Sequence, residues 1–329
     1  MKRLFILLFL FISNVVFGQG VSIQSAFGSH MDVAYLNQVG VSVLRIQLKP
    51  ADRVTRTNVT PQLAFNIELG WALRIVDECN KVGIRPVIAF NDLTLVDSIT
   101  DESPIFWTDT NYLINAYKYI NLIGKKFANK VYMYEFLGEP PITGSQVEIF
   151  YTNALKNIRQ YDTTAYFLLT PGVFGLPTNY GKFVPYNIVD DKLAYNTHMY
   201  LPFAYTHQGL DVRPKGVEYP SSTFNKDTLV KRLKTVYDWS NKYGYPIFLG
   251  EFNATRWSKN SDLYVNDVIE SAIQYKFLWC YFAFKPNFKF WNPYYDIGNP
   301  TAKPANYYLK YIGPDTQHWL MLQYYFKQR

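Results

Sequence analysis

The run Pro246-Ile247-Phe248-Leu249-Gly250-Glu251-Phe252 lies between two segments of helical pattern. Before it, residues 225–243 set Leu229, Leu233, Val236 and Tyr237 at helical spacing; after it, residues 262–275 read as a second helix. The run itself is short and nearly all apolar, as a strand is when both of its faces are covered. A glutamate closes it. Outward from this unit the same alternation recurs. Further strands are expected at Val21–Phe27, Val43–Leu48, Arg85–Asn91, Val131–Leu137, Ala165–Thr170, Leu193–His198 and Phe277–Phe284. Helices are expected at about 30–39, 64–82, 111–127 and 145–161, with Ser29, Thr110 and Ser145 as caps. Only turn chemistry fills 171–192, and 201–222 reads as a long loop holding Pro202, Pro214 and Pro220. Eight strands alternating with helices, with no linker or repeat between them, imply a single-domain (β/α)8 TIM barrel.

Composition agrees with one large core. Of the 329 residues, 48% are hydrophobic and 18% charged, which excludes a disordered chain. Aromatic residues reach 18%, with 28 Tyr, 24 Phe and 7 Trp, a surplus that suggests exposed rings suited to sugars or bases. The net charge of +7 is dispersed, and its densest cluster, Lys231-Arg232-Leu233-Lys234, reads as a solvated helix face rather than a nucleic-acid site. Lys2 and Arg3, then an apolar run and small residues ending at Gly18, read as a signal peptide over residues 1–18. The run is too short for a stable membrane span. The barrel domain is therefore expected at 19–329, secreted or periplasmic, with no membrane insertion after cleavage. Export would permit a disulfide, but Cys79 and Cys280 fall in a helix and a distant strand and are not expected to join. Nucleophile-elbow, phosphate-loop and dinucleotide motifs do not occur, and the four His lack zinc-site spacing, so no metal and no cofactor are expected.

In a barrel of this kind chemistry sits at the C-terminal strand ends. Strand two carries Arg45, strand three ends at Asn91-Asp92, strand six ends His198-Met199-Tyr200, and strands four and seven end near Glu139 and Glu251. Two carboxylates across a barrel mouth are the working parts of glycoside hydrolysis. Glu135 lies four residues before Glu139, so alternation would put both on one face, and a buried carboxylate needs a partner such as Arg45. Trp257 and Trp291 follow strands seven and eight and are either sugar platforms or loop anchors.

Tyr134-Glu135-Phe136-Leu137-Gly138-Glu139-Pro140, His198-Met199-Tyr200 and Pro246–Phe252 together resemble glycoside hydrolase family 5 over about residues 21–312. The resemblance implies Glu139 as acid/base and Glu251 as nucleophile of a retaining enzyme acting on a β-linked polysaccharide or oligosaccharide. It implies Arg45, His198, Tyr200 and Phe282 as substrate-binding residues; Asn91, Trp257 and Trp291 are expected to join them from their places at the strand ends, with Glu135 as structural support. Glu251 is then expected to be ionised, and Glu139 to hold its proton. Three positions depart from the family's pattern: Gly138 stands where Asn is usual, Asn91-Asp92 where a His is usual, and Phe282 where strand eight usually gives Trp. They motivate a second reading, a non-catalytic carbohydrate-binding barrel. Which sugar is bound, whether action is endo or exo, and the oligomeric state are not legible.

Overall fold

The computed structural model describes residues 18–24, 33–91, 93, 103–286, 288–299, 301, 303, 304 and 307–328. The expected leader, Ser29, Asp92 and the end of the expected first strand lie outside them. Eight parallel strands close into a barrel: β1 (Gln19–Gln24), β2 (Val43–Leu48), β3 (Arg85–Phe90), β4 (Met133–Phe136), β5 (Tyr166–Leu169), β6 (Leu193–Met199), β7 (Ile247–Phe252) and β8 (Leu278–Tyr281). Closure comes from β1, which pairs with both β2 and β8. Around the barrel run α1 (Val33–Gln38), α2 (Pro50–Thr57), α3 (Pro61–Val82), α4 (Pro104–Thr108), α5 (Thr110–Phe127), α6 (Ser145–Arg159), α7 (Phe203–Thr206), α8 (Lys226–Tyr243), α9 (Ser261–Gln274) and α10 (Gln317–Phe326). Between β5 and β6 there are only two 3-10 turns, as the Pro and Gly content of that stretch requires. A small hairpin, β9 (Tyr295–Ile297) with β10 (Leu309–Tyr311), follows the barrel.

Two of the expected caps are corrected. Asp109, not Thr110, caps α5, its carboxylate accepting from Asn111 N, and α6 begins after Gly144 with no side-chain cap, Ser145 being its first residue. Each expected cap stands one residue too late, inside the helix, where its side chain no longer faces the free N–H groups. Both cysteines are buried and free.

Alternation along the strands builds the interior in layers. Val43, Val87, Met133, Leu168, Ala194, Phe248, Leu278 and Cys280 form an apolar plug inside the barrel. Two residues further along β2, β4, β6 and β7 stand Arg45, Glu135, Asn196 and Gly250. The plug therefore floors a polar layer, and the C-terminal strand ends lie above it.

The aromatic surplus is spent mainly inside, correcting the expectation of exposed rings. Tyr134, Tyr151, Tyr180, Tyr205, Tyr264 and Tyr281 are fully buried. Their hydroxyls satisfy loop and strand-end carbonyls: Tyr151 donates to Leu137 O (3.1 Å), Tyr180 to Asn196 O (2.8 Å) and Tyr264 to Leu201 O (2.9 Å). A phenol supplies both the apolar bulk the helix–barrel space needs and the donor that a loop carbonyl needs. Exposed rings remain at Phe174, Phe288, Tyr308, Tyr311 and Tyr324.

Candidate active site

Two local irregularities bring the carboxylates together. In β7, Leu249 pairs with Thr197 and Glu251 pairs with His198, so Gly250 is an extra residue in the ladder. Such a bulge re-aims the side chain that follows it. Phe248 belongs to the plug, while Leu249 and Phe252 join the outer core. A Cβ on Gly250 would stand 2.5 Å from Asn196 Oδ1, so only glycine fits. On the other side, β4 ends at Phe136 and Leu137 takes φ 61°, a left-handed conformation costly for leucine. Glu139 thus arrives by a turn, and not by continued strand alternation from Glu135 as the sequence suggests.

Arg45 is the hub, buried with no exposed surface. Its Nε and Nη2 donate to Glu135 Oε2 and Oε1 at 2.6 and 2.7 Å, and its Nη1 donates to Glu251 Oε1 at 2.7 Å. The fork geometry suits arginine and no other side chain. Glu251 also accepts from Gln47 Nε2 (2.9 Å) and from the Tyr200 hydroxyl (3.1 Å). Burial alone would push the Glu251 carboxyl up, but Arg45, then His198 and Tyr200, outweigh it and hold it below the ordinary carboxylate value. Burial, followed by the Glu251 charge, keeps the Tyr200 phenol protonated. Three donors thus face Glu251 and favour its charged form.

Glu139 stands apart from Arg45. Its Oε1 lies 2.7 Å from His198 Nδ1, and its side chain is about one-third exposed to the cleft. One carboxylate oxygen each of Glu139 and Glu251 and one ring nitrogen of His198 all fall within 4.8 Å of one another. That spacing could also admit a cation, though the Arg45 charge against Glu251 opposes one. Burial opposes a charge on His198, but Glu251 and then Glu139 favour it, and the balance raises its pKa.

The remaining expected residues divide. Asn91 follows β3, and its Oδ1 accepts from Gly138 N at 3.0 Å. A Cβ on Gly138 would stand 2.8 Å from Asn91 Nδ2, so the Asn91 amide fills the volume that a side chain at 138 would need. Two of the departures from the family pattern are thus one exchange in space. Trp291 packs against Tyr200 (5.8 Å between rings) and Phe282 (6.4 Å), and is itself buried. Trp257 donates to Gln208 O and carries the Lys215 ammonium 4.5 Å over its ring, which makes it an anchor for the loop. Gln47 and Asn196 were not expected at the site. Gln47 is legible in principle, two residues beyond Arg45 on the same face; Asn196 likewise precedes His198 by two.

The cellulase model of glycosyl hydrolase family 5 matches residues 34–288. The chain belongs to glycosyl hydrolase family 5. Endoglucanase H of Acetivibrio thermocellus is 26% identical over an alignment of 168 residues that covers 49% of this family 5 chain and 17% of that protein, so the chain spans under a fifth of the length of that relative. Cel5A of Thermotoga maritima, solved with cellobiose and with mannotriose, superposes with TM-scores of 0.67 and 0.66 at 18% identity, over 85% of this chain and 92% of that one. Its closed barrel of eight parallel strands is the fold those structures share.

Proposed function

We infer that the chain is a secreted retaining glycosidase of β-linked polysaccharide or oligosaccharide. The observation that carries this reading is the contrast between two carboxylates whose oxygens lie within 4.8 Å: Glu251 charged and held by Arg45, Glu139 on a histidine at the cleft. Retaining chemistry wants the carboxyl groups about 5–5.5 Å apart, while an inverting enzyme needs roughly 6.5–9.5 Å to fit a water between them. In the first step a Glu251 oxygen bonds to the anomeric carbon, the bond to the leaving oxygen breaks, and the Glu139 proton passes to that oxygen. In the second, Glu139 takes a proton from water, the water oxygen bonds to the anomeric carbon, and Glu251 leaves as carboxylate. Arg45 and Tyr200 keep the attacking oxygen ionised and aimed. An endo-acting glucanase or mannanase fits the relatives' cello- and manno-oligosaccharide complexes. Removal of residues 1–18 would leave Gln19, the first residue of β1, at the amino terminus.

Wild type and Glu251→Ala are compared on glucan, mannan and xylan. Release of reducing ends by wild type alone supports the reading; polysaccharide binding without turnover supports the non-catalytic barrel instead. Glu139→Ala should keep activity on activated aryl glycosides and give a β-glycosyl azide when azide is added. Sequencing the exported protein from Gln19 tests secretion.

A further inference from the structure

The two carboxylates are joined through a continuous run of side-chain contacts: Glu251 to Arg45, Arg45 to Glu135, Glu135 to Asn196, Asn196 to His198, His198 to Glu139. Asn196 is the link whose orientation is forced. It is fully buried, with Nδ2 lying 3.2 Å from Glu135 Oε1 and 3.1 Å from His198 Nε2, and Thr170 Oγ1 more distant at 3.5 Å. Its Oδ1 has no hydrogen-bond partner among the described residues. Glu135 is gripped by two Arg45 bonds, so it is a carboxylate and only accepts. An inverted amide would set oxygen against oxygen there, so the network assigns Nδ2 to Glu135. The second hydrogen of that nitrogen then points at His198 Nε2, which must accept it. The one hydrogen of the neutral ring is left on Nδ1, aimed at Glu139 Oε1.

We propose that Asn196 is a positioning residue that holds His198 as the neutral Nδ1–H tautomer, so that Glu139 keeps a hydrogen-bond donor without a cation beside it. The proposal rests on the acid role given to Glu139. An imidazolium at this place would stabilise the Glu139 carboxylate and oppose the acid form that the first step uses. A neutral N–H still supports the carboxylate left after proton transfer. The charged groups facing the ring are Glu251 from β7, Glu139 from the turn after β4, and Arg45 from β2; Tyr200 follows the end of β6. Burial and Arg45 resist a proton on the ring, but Glu251 and Glu139 outweigh them, so electrostatics alone would favour the imidazolium. Asn196 adds a geometric resistance, because protonation of Nε2 would turn two donors against each other. Gly250 keeps the amide in place, since a side chain there would strike Oδ1.

The chain has four histidines, so 15N-labelled imidazoles can be resolved, with His198→Gln giving the assignment. Wild type at neutral pH should show His198 with a pyrrole-type Nδ1 and a pyridine-type Nε2. In Asn196→Ala, and in Asn196→Asp, which exchanges donor for acceptor at nearly constant shape, the ring should become imidazolium at that pH. The alkaline limb of kcat/KM should then fall by about one pH unit, a tenfold change in proton affinity. An imidazolium or an Nε2–H tautomer in wild type overturns the proposal, and that spectrum decides even if both variants fail to fold. Variants whose ring becomes imidazolium while the limb stays put overturn the coupling to Glu139. Glu139→Ala separates the two failures: if it shows no dependence on leaving group, the acid role falls, and the tautomer assignment stands on the spectrum alone.

Discussion

Replacing Arg45 by methionine removes the hub and leaves its partners where they are. Glu135 and Arg45 have no exposed surface, and Glu251 has little. After Arg45→Met, Glu135 retains one donor, Asn196, while Glu251 retains Gln47 and Tyr200. Breaking a buried pair by deleting one partner costs about 3–5 kcal/mol, because an uncompensated charge stays in the interior. That is a large share of the roughly 5–15 kcal/mol that holds a domain folded. The loss must also depend on pH. In wild type the folded Glu251 carboxyl sits below the ordinary glutamate value of 4.5, so its stabilising contribution is full above that value and is lost as pH falls through the folded one. In Arg45→Met the burial of Glu251 is no longer outweighed, its carboxyl titrates higher in the folded state, and the variant loses stability as pH rises above the unfolded value. The gap between the proteins should be widest near pH 7 and narrow at about pH 4. Urea denaturation at both pH values measures it, and the acid limb of kcat/KM should move upward in the variant. A gap below about 1 kcal/mol near pH 7, or one of equal size at both pH values, refutes the assignment of Arg45 as the shared counter-ion.

Gly250→Ala sets a Cβ 2.5 Å from Asn196 Oδ1 and 3.2 Å from His198 Nε2, and should lower kcat at least about tenfold with roughly 1–3 kcal/mol of destabilisation; kinetics and thermal melts check it, and wild-type kcat would count against the bulge. Gly138→Asn should be damaging alone because its Cβ would stand 2.8 Å from the Asn91 amide and 2.9 Å from Glu135 Oε1; Asn91→Gly should relieve the first contact and not the second, so the double-mutant cycle in kcat/KM should be non-additive with rescue only in part. Asp162 accepts from the backbone of Asn129, Thr164 and Ala165 and from the Tyr134 hydroxyl. Burial raises its carboxyl, but those donors, Thr164 foremost, hold it below 3.8, so Asp162→Ala should cost about 1.5–3 kcal/mol at neutral pH, and less once pH falls through the folded value, with kcat unchanged.

The barrel was legible because each strand is a short apolar run, and charges within such runs announce themselves. Arg45 inside Val43–Leu48 and Glu135 beside Phe136 had to find each other, and they do. What period-2 reasoning could not supply is where the period breaks. Glu251 reaches the mouth through an extra residue at Gly250, and Glu139 through the left-handed turn at Leu137. Neither is a matter of composition. The exchange between Asn91 and Gly138 joins positions 47 residues apart, and only proximity reveals it. The helix Gln317–Phe326 escaped notice because its apolar face is interrupted by His318, buried against Arg256. The tyrosines misled for a related reason: whether a phenol lies inside depends on a carbonyl waiting for it, which no residue count records.

The apolar plug under Arg45 and Glu135 makes the barrel a vessel open at one end. Met133, Phe248 and Leu278 offer protons no path from below. Exchange with solvent must pass the mouth, where Glu139 stands partly exposed. A sugar chain lying across that mouth stops the exchange for as long as it stays. The proton inventory of the chamber is then fixed at the moment of binding, and whatever the leaving oxygen receives must already have been on board.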